Sequence, residues 1–140
     1  TLDRSSAASD VYKRQGHGVG YLLTVHEGPQ RLGMGPGSEI EFKEHMFTSV
    51  EPGLYITDSH GIRIENQAVV QKALENEFGK FLEFENLTFV PIDTRPINVD
   101  MLTNDEINWI NDYNKKCQEV LAPHLEGADL EYLKESCRQI

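Results

Sequence analysis

Cysteine is scarce. Two thiols, Cys117 and Cys137, are present in 140 residues, too few to staple a small secreted scaffold, and reduced thiols in a cytoplasmic protein are expected. Long apolar runs are missing. None approaches the ~20 residues of a membrane-crossing helix, and the chain opens with no charged-then-apolar leader. Positive charge is also short: 13 Lys and Arg against 23 Asp and Glu leave a net charge of -10. That balance speaks against a nucleic-acid surface, which needs a basic face to neutralise phosphates, and against an anionic membrane surface. What is there, 39% hydrophobic and 26% charged residues, is the composition of a globular protein. The length suits one domain better than two.

Residues 1–15, TLDRSSAASDVYKRQ, are polar and aperiodic and stop abruptly at a glycine-rich apolar stretch. They read as a disordered or non-native tail. From Gly16 the pattern turns β-rich. Tyr21 to Val25 is an apolar run of strand length, and Glu27 to Ser38, rich in glycine and proline, is a loop. Met46 to Val50 predicts a second strand, ended by Pro52 and Gly53, with Tyr55 and Ile56 resuming it. Ile62 to Glu65 alternates with period two and runs on into Ala68-Val69-Val70. A last strand is expected at Thr88 to Ile92, with Pro91 marking an edge. The final third changes period. Thr103 and Glu106 form a capping box, after which Ile107, Ile110, Tyr113, Cys117, Val120 and Leu121 recur at helical spacing. Pro123 ends that helix, and a shorter one carries Leu130, Leu133 and Cys137.

Candidate chemistry lies in the β-rich part. His17 sits in GHGVG, where glycines leave room around an imidazole. His26 follows at a strand end in VHEGP, and Glu51 occupies another in VEPG. Arg63 and Glu65 share one side of a strand, because side chains alternate, and Ile62 and Ile64 share the other. Imidazole plus carboxylates is a ligand set for a divalent metal used in hydrolysis. Taken singly, each has a duller reading: a structural histidine, a solvated glutamate. The Gly16-x-Gly18-x-Gly20 run is no dinucleotide loop, for it lacks the preceding strand and following helix.

Together the motifs say more. GHGVGYLLTVHEGP, then SVEPGLY, then GIRIEN, in that order, resembles the pita-bread metallopeptidases. The tail NLTFVPIDTRPINVDMLTNDEINWINDYN resembles the C-terminal extension of the larger Xaa-Pro aminopeptidases (aminopeptidase P). The resemblance implies an α+β fold: the C-terminal half of a pita-bread (creatinase/aminopeptidase) fold over residues 16–85, then a helical extension over 86–140. It implies hydrolysis of the N-terminal X-Pro bond at two divalent ions, most often Mn2+, held by two Asp, one His and two Glu. By motif, His17 is the His ligand, Glu51 one Glu ligand and proton shuttle, and Glu65 the Glu that bridges both ions. His26 matches the His that contacts the substrate carbonyl, and Arg63 an Arg that braces the ligands. Peptides with proline at the second position are the implied partners, with a homodimer in the full-length parent and a cytoplasmic location.

The family's two Asp ligands precede the GHG motif, and Asp3 and Asp10 sit in no matching motif. An upstream substrate-binding His is missing as well, and His45, where relatives often have Pro-Gly, is unassigned and expected to be exposed. The expectation is therefore a segment that is inactive alone. Two other readings stay open: a non-catalytic pita-bread module that binds a peptide or protein, and a metal-free creatinase-like hydrolase, the latter weakened by the presence of His17 and both glutamates.

Overall fold

The computed structural model describes residues 15–22, 24–33 and 38–140. They divide between Thr88 and Phe89 into two units, three residues beyond the boundary expected from sequence. The expected tail lies outside the described residues apart from Gln15, and so do Asp3 and Asp10.

The first unit is built from strands β1 (Gly16–His17), β2 (Arg31–Leu32), β3 (Phe47–Val50), β4 (Gly53–Ile56), β5 (His60–Arg63), β6 (Asn66–Asn76) and β7 (Gly79–Asn86). β1 pairs antiparallel with β2, β6 lies between β3 and β7, and β4 pairs with β5. Gly18 makes a single bridge to Thr48, which joins the end of β1 to β3. Registers show how the sheet is made. Val50 opposes Asn66 in one ladder, and Gly53 opposes Arg63 in the other. The two ladders share one register, so β3–β4 and β5–β6 are the arms of a single long hairpin. It is interrupted only where Glu51-Pro52 faces Ile64-Glu65. Pro52 has no N–H to give to a ladder, so pairing fails there; the Pro52 carbonyl still accepts from the Ile64 N–H at 3.4 Å. The continuous strand expected from Ile62 to Val70 is broken at this point.

Two further expectations are corrected. Tyr21, Leu22, Thr24 and Val25 belong to no strand, and Tyr21 and Leu22 are strongly exposed. An apolar run of strand length without a partner ladder does not stay a strand. Thr88 to Ile92 likewise falls in no assigned strand, although Thr88 Oγ1 accepts from the Gln67 N–H of β6 at 2.9 Å. The β6–β7 hairpin, in turn, was not legible in the sequence. Its residues beyond Val70 are mostly exposed on both faces, and only Leu82 to Glu85 alternates apolar with polar. A bulge between Lys72 and Leu74 shifts the register further.

The second unit holds helix α1 (Asn104–Leu121), a short 3-10 turn (Ala122–His124) and helix α2 (Gly127–Ser136). The Thr103–Glu106 capping box is present in both directions. Pro123 falls in the 3-10 turn that follows α1, since its ring cannot continue the α-helical ladder. Ile92, Tyr113, Cys117, Leu133 and Cys137 form the core, with Phe89, Ile97, Leu121, Ala122 and Leu125 packed on it. Both cysteines are free and buried, and burial pushes both thiols above their usual range. Asn114, 1% exposed, accepts from the Ile92 N–H at 2.8 Å and donates to the Ile92 carbonyl at 3.1 Å. Its amide does for Ile92 what a neighbouring strand would do. Asn111, one helical turn earlier, treats Ile140 the same way, at 3.0 and 3.3 Å. Among the described residues no helix is long and apolar enough to cross a membrane.

Candidate metal centre

The site residues gather around the break in the long hairpin. Glu51 directly follows β3, Arg63 ends β5, and Glu65 lies in the two-residue gap before β6. Because the register runs through the gap, Glu51 and Glu65 face each other across it. His17, on β1, comes alongside β3.

The glycines around His17 have a steric cause. A Cβ at Gly16 would collide with the Ser49 carbonyl oxygen, and one at Gly18 with that of Glu27. Backbones pass too closely here for any side chain. The Gly18 carbonyl accepts from the Glu27 N–H at 2.9 Å and also lies 2.9 Å from His17 Nδ1. A carbonyl only accepts, so Nδ1 carries a proton toward it and Nε2 is the ring nitrogen left to face the site.

Nε2 meets Glu51. His17 Nε2 is 2.9 Å from Glu51 Oε1. Ser49 Oγ donates to the same oxygen at 3.0 Å. The His26 ring stands over the His17 ring with centroids 4.3 Å apart. Arg63 Nε is 3.0 Å from Glu65 Oε2 and 3.9 Å from Glu51 Oε2, and Arg63 Nη1 donates to the Tyr55 hydroxyl at 3.3 Å. The Tyr55 hydroxyl, then Glu65 and Glu51, raise the guanidinium pKa above its ordinary value. Arg63 thus carries its full positive charge between two carboxylates.

The donor set fits part of a divalent-ion shell. An imidazole nitrogen and a carboxylate oxygen are metal donors, and a backbone carbonyl on the far ring nitrogen is the partner a ligating histidine keeps. Two ligands of one octahedral ion, with bonds of ~2.1 Å, stand about 3 Å apart, close to the spacing of Nε2 and Oε1. The shell is partial: among the described residues no group of three or more His, Cys, Asp and Glu side chains is placed to hold an ion. Glu65 reaches the site, but its carboxylate is turned to Arg63. His45 is exposed, as expected, and takes no part in these contacts.

Sequence reasoning missed Ser49 and Gln30. Ser49 was inside a quoted motif, SVEPGLY, yet a serine in a strand carries no signal of its own. Gln30, 6% exposed, donates from Nε2 to the Phe47 carbonyl at 2.7 Å and so ties the β2 approach to β3.

Comparison with known proteins bears on the family and the fold. Residues 2–72 match the metallopeptidase family M24, and residues 80–140 match the C-terminal region of peptidase M24. Aminopeptidase P1 of Arabidopsis thaliana is 39% identical over 129 residues, 89% of this chain and 20% of that protein. Xaa-Pro aminopeptidase 1 of Dictyostelium discoideum is 42% identical over 124 residues, 86% of this chain and 20% of that protein. Among solved structures, X-prolyl aminopeptidase from Caenorhabditis elegans, a cytosolic enzyme with a di-nuclear active site, superposes with a TM-score of 0.77 at 36% identity. The match covers 91% of this chain and 21% of that one. The chain therefore spans about a fifth of the length of the relatives it matches. The likeness bears out the α+β reading as part of a pita-bread fold.

Proposed function

The chain belongs to metallopeptidase family M24, and we propose that it is a segment of a Xaa-Pro aminopeptidase, hydrolysing the bond between an N-terminal residue and a following proline. The observation that carries the reading is the His17–Glu51 pair, Nε2 to Oε1 at 2.9 Å, with Nδ1 committed to the Gly18 carbonyl. His17, Glu51 and Glu65 would hold divalent ions, proposed to be two Mn2+, together with ligands from the rest of a longer protein. Bound there, such ions supply Lewis acidity toward the scissile carbonyl and a water acidified to near neutral pH.

The chain's own residues do the rest. Glu51, at the junction of β3 and the break, takes a proton from the attacking water and returns it to the leaving proline nitrogen. His26, beside His17 and open to solvent, donates a hydrogen bond to the oxygen that gains negative charge. Comparable donors are worth ~2.7–4 kcal/mol of transition-state stabilisation. Arg63 holds Glu65 and steadies Glu51 from the side away from His17. The substrates are peptides with proline second, the enzyme is cytoplasmic, and the working form is a homodimer.

The test uses the longer protein bearing this segment. Glu65→Gln removes a shared anionic ligand and should strip most bound metal and activity together. His26→Ala should keep the metal and lower kcat, because its contact belongs to the transition state. Equal metal loss in both variants, by elemental analysis, would refute this division of roles. No X-Pro cleavage by the unsubstituted protein would refute the function itself.

A further inference from the structure

Ser49 is fully buried and spends both of its hydrogen-bonding roles on the candidate site. Its Oγ accepts from the His17 backbone N–H at 3.1 Å. Its single hydroxyl proton goes to Glu51 Oε1 at 3.0 Å. That is the oxygen that faces His17 Nε2. One hydroxyl therefore touches the backbone of the imidazole residue and the carboxylate opposite its ring.

We infer that Ser49 is a positioning residue that locks the His17–Glu51 pair into the arrangement able to hold a divalent cation. The inference deepens the proposed function and rests on it. A glutamate side chain has three rotatable bonds, and nothing in a strand-end backbone alone fixes its carboxylate. Ser49 fixes Oε1 from one side, while Arg63 lies nearest Oε2 on the other. The neighbouring Thr48, also fully buried, donates to the His17 carbonyl at 3.0 Å. Successive hydroxyls of β3 thus reach both backbone groups of His17, with Thr48 sharing its single proton between the His17 carbonyl and that of Ser49 at 3.1 Å. Removing the Ser49 hydroxyl orphans the His17 N–H and frees the carboxylate to turn toward Arg63. Partners that orient metal ligands in this way carry a large share of the affinity of a site.

The experiment compares Ser49→Ala and Ser49→Thr. In the longer protein bearing this segment, the Mn2+ dissociation constant is measured by competition with a chelating indicator. In the 140-residue chain without metal, hydrogen exchange of the His17 amide is followed by NMR. Ser49→Ala should weaken Mn2+ binding by about 10- to 100-fold and speed exchange at His17, and Ser49→Thr should restore both. A purely structural serine would lower the Tm and speed exchange while leaving Mn2+ affinity within twofold, and that result overturns the inference. Unchanged exchange at His17 in Ser49→Ala overturns it as well. If the unsubstituted longer protein binds no divalent ion, the aminopeptidase reading falls and takes the inference with it. Should Ser49→Ala not fold, Ser49→Cys keeps the volume and weakens both hydrogen bonds, and the same two readouts decide.

Discussion

Asn114 shows how much one side chain can settle. Its amide satisfies both backbone groups of Ile92 inside the core, in a segment that belongs to no assigned strand. Replacing it with alanine orphans a donor and an acceptor, each costing about 1–3 kcal/mol when buried. Asn114→Ala should therefore destabilise the helical unit by upwards of about 2 kcal/mol, read as a lowered denaturant midpoint; a loss below ~0.5 kcal/mol would contradict the pairing. Asp93 offers a second test. Its carboxylate receives Arg95 Nε at 2.8 Å, Arg95 Nη2 at 2.6 Å and the Arg95 backbone N–H at 3.1 Å. These hydrogen bonds, the guanidinium's first, pull its pKa down to about 2. A depressed carboxyl stabilises the fold fully above its ordinary value of 3.8 and loses that contribution as pH falls through about 2. A carboxyl NMR titration should find that low midpoint, and Arg95→Ala should return it toward the ordinary range.

At the level of elements, two devices can be tested independently. The capping box at Thr103 satisfies N–H groups at both ends of the first turn of α1, with Glu106 Oε2 2.8 Å from the Thr103 N–H. Thr103→Ala should cost about 1 kcal/mol of stability, seen as a lower Tm of the helical unit. The β6–β7 hairpin leaves its turn at Gly79, the first residue of β7, with φ +131° and open space where a Cβ would stand. An alanine there meets no neighbour, but the backbone conformation is one that L residues rarely adopt. Gly79→Ala should loosen the hairpin, speeding amide exchange along β7 while β3 stays protected. Uniform exchange across both strands would show that the turn does not govern the pairing.

For the molecule as a whole, the decisive quantity is the completeness of the proposed metal shell. His17 and Glu51 converge, Glu65 is held by Arg63, and the described residues supply no third donor to the pair. The 140-residue chain with excess Mn2+ should bind at most one ion weakly and should not cleave X-Pro peptides. Without a second ion, the attacking water lacks its second Lewis acid. Measurable Mn2+-dependent turnover by this chain alone would show that the ligand assignment is wrong. The sheet unit also exposes large apolar side chains, among them Leu54, Tyr55, Ile62, Phe78 and Phe84. Patches of this kind favour association, so the isolated chain should self-associate as concentration rises, against its net charge of -10; sedimentation velocity reads this directly.

The sequence by itself determined the helical third and the family, and its motifs singled out the residues proposed for the site. Helical period and a capping box are local signals, and GHG, VEPG and GIRIEN are fixed strings whose order survives without coordinates. It could not give the partners of extended segments. Tyr21, Leu22, Thr24 and Val25 sit in an apolar run that looks like a strand, but a strand exists only where another backbone completes its hydrogen bonds, and these four belong to none. The β6–β7 hairpin was hidden for the opposite reason: exposed on both faces, it shows the alternation by which a strand is read only over Leu82 to Glu85. Tertiary structure alone showed that Pro52 breaks one long hairpin in mid-register and so sets Glu51 across from Glu65. It alone showed that a glycine carbonyl turns His17 Nε2 toward Glu51, because contacts between residues 17 and 51 depend on which strands lie side by side, and no local pattern records that.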